Sequence, residues 1–472
     1  MNSKYIYIHT IGCQMNVYDS EQIVMRLATL GYEQTASMNR ADVIIVNTCT
    51  IRAKAEQKAF SLLGRLDRMK RYKKRLIIGV GGCVAQQEGE KILDRMPAVD
   101  LVFVTQAIDR LPRLVQQIEA RRCRIVDVDM DADPQIPESL VESRDESEVS
   151  KFVTIMRGCD NHCTYCVVPF VRGRETSRRP ESILREINSL VQTGVREITL
   201  LGQNVNSYGK NQNLCTFSEL LSMINQVEGL LRIRFTTSHP KDLGSDLIPA
   251  FRNLDKLCPH IHLPVQSGSN RILKRMNRQY TREQYLDKVT KLRDTCPQIA
   301  ITSDIIVGFP GESEADFEQT LELIKTVEFD GLFAFQYSDR PQAPSVKLPD
   351  KLSESIIRNR LQILLELQEK VTRRKNVALV GSSQLVLTEG LSKKQVSDQP
   401  AGNGPNLQWT GRTSTNKIVN FCVDEPAVDD ENLTGKMIGV RIDKGFSHSL
   451  LGRVINVEPS VGGLKGVENY AA

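Results

Sequence analysis

Apolar and polar positions recur with two different periods along the chain, and the way these alternate divides it into stretches. Short apolar runs at 5–10, 43–47, 76–80 and 101–105 predict strands. Between them, 18–30, 52–70, 86–95 and 109–120 carry the spacing of amphipathic helices. Strand–helix alternation over 1–127 predicts a doubly wound parallel sheet with helices on both faces. Residues 128–150 are rich in Asp, Glu, Ser and Pro, with Pro134 and Pro137 breaking any helix, and predict a solvated linker.

The alternation resumes over 151–377. Strands are predicted at 152–156, 197–201, 231–237, 260–265, 301–307 and 332–337, separated by helices such as 180–193 and 282–293. Six such units predict a partial (β/α)6 barrel, an open relative of the closed barrel whose chemistry lies at the carboxyl ends of its strands. A long basic amphipathic helix over 356–375 leads onward. Then the period becomes two, at 384–389, 417–423, 437–442 and 450–457, with Gly and Asn turns between. That pattern predicts a small antiparallel β-barrel over 378–458, of the type that often binds oligonucleotides, followed by a tail over 459–472. The fold class is thus α/β and multidomain.

Composition narrows this picture. The 472 residues, 40% hydrophobic and 25% charged, suit an ordinary soluble chain of two to four domains. No apolar run is long enough to span a bilayer, and the N-terminus has no signal-peptide pattern, so no membrane contact and a cytoplasmic location are expected. Eleven cysteines in such a chain argue for metal ligands and a few buried thiols, against a disulfide framework. A net charge of +5 permits nucleic-acid binding without demanding it.

The candidate chemistry is in the cysteines. Cys159, Cys163 and Cys166 form CxxxCxxC directly after the 152–156 run. Three thiolates on one tight loop suit the corner of a four-iron cluster and leave one iron open for chemistry. Zinc is the alternative, although it usually wants a fourth ligand and paired CxxC spacing. Cys13, Cys49 and Cys83 each come within a few residues after the first three predicted strands, where ligands of doubly wound sheets collect. They read as a second three-thiol site, against the alternative of three buried thiols packing as small hydrophobes.

Cys159 to Cys166 with an aromatic, Tyr165, before the last cysteine resembles the signature of the radical S-adenosylmethionine (SAM) superfamily. Gly158-Cys159-Asp160-Asn161 and Arg172-Gly173-Arg174-Glu175 narrow the resemblance to the methylthiotransferases that modify tRNA. Gly12-Cys13-Gln14-Met15-Asn16, Asn47-Thr48-Cys49 and Gly81-Gly82-Cys83 match that family's N-terminal motifs, and the C-terminal stretch resembles the TRAM domain, an RNA-binding barrel.

The resemblance implies two 4Fe-4S clusters. The central one, held by Cys159, Cys163 and Cys166, binds SAM at its open iron and cleaves it to a 5′-deoxyadenosyl radical. The auxiliary one, held by Cys13, Cys49 and Cys83, carries the sulfur. It also implies SAM contacts near Tyr165, Gln203, Asn204, Gln266 and Asp304. No side chain is expected as an acid–base catalyst, because the cofactors carry the chemistry. The implied substrate is N6-isopentenyladenosine at position 37 of the tRNA anticodon stem-loop, converted to its 2-methylthio derivative. Branches acting on N6-threonylcarbamoyladenosine or on a ribosomal protein aspartate are alternatives, as is a non-catalytic iron–sulfur carrier. An electron donor such as flavodoxin or ferredoxin and a monomeric state complete the expectation.

Basic residues near the predicted barrel mouth (Arg172, Arg174 and Arg178, and a second run at 271–282) and on the C-terminal barrel (Lys393, Lys394, Arg412) read as phosphate contacts or as solvated faces. His239 and His262 read as polar loop or core residues. Gln342-Ala343 stands where relatives often have Gly-Thr, so contacts near that segment are expected to differ.

Overall fold

The structure, a computed structural model, describes residues 3–50, 53–130, 136, 148–392, 407–423 and 432–457. Most of the expected linker, all of the expected tail, and Lys393 and Lys394 lie outside the described residues.

The N-terminal lobe is one parallel sheet of β1 (Lys4–Ile11), β2 (Tyr32–Gln34), β3 (Val43–Thr48), β4 (Ile77–Gly82), β5 (Leu101–Phe103) and β6 (Ile125–Asp127), in the order β2-β1-β3-β4-β5-β6. Every residue of β3 and β4 is buried, as a sheet covered on both faces requires. Helices Gln14–Ala28 and Leu111–Arg121 cover one face through Ile23, Leu27, Leu114 and Ile118. Helix Ala53–Tyr72 covers the other through Leu62, Leu63 and Leu66. Strand order reverses between β1 and β3, and this switch point is where such sheets open a crevice beyond their carboxyl ends.

The central lobe contains β7 (Ser150–Thr154), β8 (Met156–Arg157), β9 (Thr176–Ser177), β10 (Glu197–Leu201), β11 (Arg232–Phe235), β12 (His260–His262), β13 (Ala300–Val307) and β14 (Gly331–Gln336). Two parallel sheets, β11-β10-β7 and β12-β13-β14, meet through the Ile233–Leu257 bridge. Among the described residues no pairing closes β14 onto β7, so the barrel is partial. One core runs through it, including Ile198, Ile233, Ile261, Ile301 and Ile305, and helix Glu354–Val377 adds Ile357 and Leu364. The single strand expected over 152–156 is broken: β7 stops at Thr154, and β8 pairs antiparallel with β9.

The C-terminal barrel closes in the order β15-β16-β17-β19-β18, from β15 (Ser383–Leu391), β16 (Gln408–Thr413), β17 (Ile418–Cys422), β18 (Met437–Gly445) and β19 (Leu450–Val457). It is not antiparallel throughout, because β17 and β19 run parallel. Parity imposes this, since a closed ring with an odd number of strands cannot alternate direction at every pair. Two buried arginines of β11 hold this barrel to the central lobe. Arg232 donates to the carbonyls of Arg412 at 2.6 Å and Leu385 at 3.0 Å. Arg234 donates to those of Ser414 at 2.9 Å and Thr413 at 2.8 Å. No helix among the described residues is long and apolar enough to cross a membrane.

Candidate functional site

The β8–β9 ribbon brackets the loop that carries Cys159, Cys163 and Cys166. Gly158 begins the loop at φ +75°, and a Cβ there would sit 2.0 Å from the Arg174 carbonyl oxygen, so only glycine lets the strands draw together. The loop then folds back, with Cys166 N–H donating to the Cys163 carbonyl at 3.0 Å. Each sulfur has a donor aimed at it: Asn161 N at 3.4 Å from Cys159 Sγ, Arg278 Nη1 at 3.4 Å from Cys163 Sγ, and Val168 N at 3.5 Å from Cys166 Sγ. Such donors stabilise negative sulfur and tune iron–sulfur clusters, so this donor set fits a thiolate-bound cluster. Burial pushes the free thiols up, to about 11 at Cys159 and about 12 at Cys166, so metal must displace their protons on binding.

Arg278, read from sequence as part of a basic run meeting either phosphate or solvent, lies beside these cysteines instead. Its guanidinium is buried and also donates to Pro264 O at 2.6 Å, Tyr280 Oη at 3.0 Å and Tyr165 Oη at 3.3 Å. The sequence showed its charge and not its direction. His239 Nε2 lies 4.0 Å from Cys163 Sγ, and burial lowers its pKa to about 2, which keeps the ring neutral.

The residues matched to SAM contacts divide. Tyr165 packs on Ile272, Met276 and Phe309 beside the cysteines. Gln203 keeps a buried Oε1 with no partner among the described residues, an acceptor left for a ligand. Asn204 is committed within the protein, donating to Asp242 Oδ2 at 2.8 Å and accepting from His239 N at 3.2 Å, so its side chain shapes the loop. Gln266, at φ +73°, bridges to β13 through its backbone, and Asp304 Oδ1 faces His262 Nε2 at 3.4 Å.

The other three cysteines come together across the switch point. Cys13 precedes helix Gln14–Ala28, Cys49 follows β3, and Cys83 opens helix Cys83–Glu88 after β4. The Cys13 and Cys49 side chains are hydrogen-bonded, and Cys83 lies within electrostatic reach of Cys13. The motif asparagines tie the loops together: Asn16 Nδ2 donates to Asn47 Oδ1 at 3.0 Å and Thr48 O at 3.1 Å, and Asn47 Nδ2 returns to Asn16 O at 2.9 Å. Gly82, at φ +88°, would place a Cβ 2.3 Å from Thr48 O, so glycine permits the approach of β4 to β3.

The hydrogen bond from Cys49, together with Arg172 and the backbone N–H groups of Asn16 and Met15, lowers the Cys13 thiol to about 6, whereas burial raises Cys83. Metal-free protein should therefore lose Cys13 first to iodoacetamide at neutral pH, ahead of Cys159 and Cys166. The rate should fall as pH drops through about 6, where Cys13 takes up its proton. Peptide mass mapping of a short alkylation series reads both effects.

Among the described residues no group of three or more His, Cys, Asp or Glu is disposed about a single metal ion. A mononuclear site needs all its donors about 2.3 Å from one point. Ligands of a cubane attach to separate irons and stand apart around a bulky core.

The two lobes meet at these thiols. Cys83 packs against Val167, the residue after Cys166, and against Val171 and Ala343. Met15 and Tyr18 pack on Leu201, with Cys13 and Phe152 alongside. Ala343, of the Gln342-Ala343 segment, thus shares a buried cluster with Cys83.

Two arginines read from sequence as candidate RNA contacts, Arg172 and Arg178, turn inward instead. Arg172 is buried, its Nη2 3.1 Å from Asp19 Oδ2. Arg178 is buried against Glu186 Oε2 at 2.5 Å and Thr154 O at 2.8 Å. The reason is the lobe interface: this side of the barrel mouth faces protein, so its charges are neutralised by carboxylates there. Arg174 remains exposed, and Arg412 is half-buried with Nε 2.9 Å from Glu389 Oε1.

Residues 5–104 match a family described as "Uncharacterized protein family UPF0004", and residues 153–324 match the Radical SAM superfamily. The chain is 53% identical to tRNA-2-methylthio-N(6)-dimethylallyladenosine synthase of Desulfosudis oleivorans, covering 98% of this chain and 99% of the relative. It is 50% identical to the synthase so named from Syntrophus aciditrophicus, covering 96% and 95%. Among solved structures it resembles the radical SAM methyltransferase TsrM of Kitasatospora setae, with a TM-score of 0.56 and 13% identity, over 73% of this chain and 74% of that one. That likeness is one of fold alone. The identity to the synthases over almost the whole of both chains is decisive: this chain belongs to the tRNA-2-methylthio-N(6)-dimethylallyladenosine synthase family, radical SAM enzymes of the tRNA methylthiotransferase class.

Proposed function

We propose that this chain converts N6-dimethylallyladenosine (isopentenyladenosine) at position 37 of tRNA to its 2-methylthio derivative, with two 4Fe-4S clusters and SAM. The observation that carries the reading is the pair of thiol triplets meeting at one lobe interface, where Cys83 packs on the residue after Cys166. Bound there, the clusters and SAM supply the one-electron chemistry that removes hydrogen from an unactivated carbon, which no side chain here provides. Cys159, Cys163 and Cys166 hold the central cluster, with Arg278 orienting Cys163 and Tyr165. Gln203 offers its free acceptor to SAM, while Asn204 and Asp242 brace the neighbouring loop. Cys13, Cys49 and Cys83 hold the auxiliary cluster, fixed in register by the Asn16–Asn47 pair.

In this reading residues 1–127 form the auxiliary-cluster domain, 128–150 the linker, 151–377 the radical SAM domain and 378–458 a TRAM-like RNA-binding barrel. In this reading the exposed Arg174, Arg179 and Arg441 meet phosphate. The protein works as a cytoplasmic monomer and takes electrons from a flavodoxin or ferredoxin.

Reconstituted protein given SAM, reductant and isopentenylated anticodon stem-loop should release 5′-deoxyadenosine and leave RNA heavier by SCH3 in place of H. Reaction only with threonylcarbamoylated RNA would move the substrate to the sister branch and keep the mechanism. Absence of SAM cleavage would leave an iron–sulfur carrier.

A further inference from the structure

A cavity of about 540 Å³ lies where the three lobes meet. Gln14, the neighbour of Cys13, forms part of its wall, and Phe152, Glu197, Arg234 and His260 line it from the partial barrel. Glu389 of β15, Arg412 of β16 and Asn416 of the turn after β16 complete it from the C-terminal barrel. Small-molecule sites span about 300–1,000 Å³, so a nucleoside fits. His260 is 7% exposed; its Nε2 lies 3.4 Å from Thr302 Oγ1, and its Nδ1 has no hydrogen-bond partner among the described residues. Burial lowers the pKa of this ring to about 3 and keeps it neutral. A buried ring nitrogen left over on a cavity wall marks a place for a polar ligand atom.

The charges around the cavity constrain the rest of the ligand. Arg234 Nε lies 2.9 Å from Glu197 Oε2, and Arg412 Nε lies 2.9 Å from Glu389 Oε1. Arg412 Nη1 also donates to Asn416 Oδ1 at 3.2 Å. Arg232, behind Arg234 and outside the lining, shares Glu197 at 4.0 Å and gives both terminal nitrogens to barrel carbonyls. The third lining carboxylate, Glu148, pairs with Lys151, which also reaches Glu21 at 3.2 Å. Beyond the wall, Lys417 faces Asp330 at 3.5 Å, His262 faces Asp304 at 3.4 Å, and burial raises the Cys258 thiol, so that it stays neutral. Each cation lining the cavity thus has a carboxylate already. A ligand carboxylate would add a fourth acid beside Glu148, Glu197 and Glu389, and a charge buried without its own partner is costly.

We propose that Glu197 and Glu389 determine substrate specificity: by holding Arg234 and Arg412 they leave the cavity no free cation, so it admits an uncharged N6 substituent and rejects an anionic one. The dimethylallyl group is an uncharged hydrocarbon, whereas threonylcarbamoyl ends in a carboxylate. C2 and N6 lie on the same edge of adenine, so a base with C2 toward the Cys13 end carries its N6 substituent within the same cavity. The inference rests on the tRNA-methylthiotransferase reading above and identifies what separates its two adenosine substrates.

The test is the affinity of reconstituted full-length protein, without reductant, for anticodon stem-loops that differ only at N6 of residue 37. One carries threonylcarbamoyl, and one carries its isosteric carboxamide, in which the carboxylate is replaced by a neutral amide. Fluorescence anisotropy should show the wild type binding the carboxamide at least about tenfold more tightly than the acid. Glu389→Gln, which frees Arg412 for the ligand, should bring the two affinities together by about tenfold. Equal wild-type affinity for acid and carboxamide would assign selection to size and overturn the proposal, as would a Glu389→Gln protein that keeps the wild-type ratio. SAM cleavage and sulfur transfer play no part in the readout. A protein that shows this discrimination and never thiolates RNA would refute the proposed function and leave the selection standing.

Discussion

Cys159→Ala protein should produce no 5′-deoxyadenosine above background, whereas Cys49→Ala protein should still cleave SAM while transferring no sulfur. The asymmetry follows from where the thiols sit. Cys159 opens the loop whose other sulfurs, Cys163 and Cys166, are held by Arg278 and by the Val168 N–H. In the proposed function Cys159 is one of three ligands of the central cluster, so its loss would remove the group on which SAM cleavage depends. Cys49 follows β3 in the N-terminal lobe, hydrogen-bonded to Cys13 and framed by the Asn16–Asn47 pair. Quantifying 5′-deoxyadenosine and thiolated nucleoside from the same reactions separates the two losses. Equal loss of SAM cleavage in both variants would argue against distinct roles for the two triplets.

Arg178→Met should cost about 3–5 kcal/mol of stability, the usual penalty for leaving one member of a buried ion pair uncompensated. The Arg178 and Glu186 side chains are 1% and 4% exposed, so the stranded carboxylate would have no access to water. Glu186 also accepts from Tyr18 Oη at 3.4 Å, so the loss extends to the lobe interface. Arg179→Met, at the exposed neighbour, should stay within about 0.5 kcal/mol of wild type. Urea unfolding curves of the two variants test this. Unchanged stability in Arg178→Met, with a weaker and less salt-sensitive affinity for tRNA, would restore the phosphate reading.

These arginines show which parts of the structure the sequence discloses. Parallel strands covered on both faces must be continuously apolar, so β3 and β4 stand out as runs. Three-residue strands such as β2 and β6 are too short for any period to register. The cysteine triplets were legible because motif spacing and strand order each place them at strand ends. Which way a charged side chain points depends on what packs over it, and no local pattern encodes that. Arg172, Arg178 and Arg278 therefore read as a basic surface and proved to be buried at the thiols or the lobe seam. The parallel β17–β19 pair was hidden for a similar reason: alternation marks each strand and says nothing of which neighbour closes the ring. The orphaned acceptor of Gln203 likewise depends on what packs around the end of β10, which no local pattern discloses.

Iron content and Mössbauer spectra of anaerobically purified protein test the central claim most directly. Two incompletely ligated cubanes require about eight irons per chain, falling to about four when Cys13, Cys49 and Cys83 are all replaced by Ala, and to about four of the other spectral component when Cys159, Cys163 and Cys166 are. About four irons in the wild type, unchanged by loss of the N-terminal triplet, would contradict it.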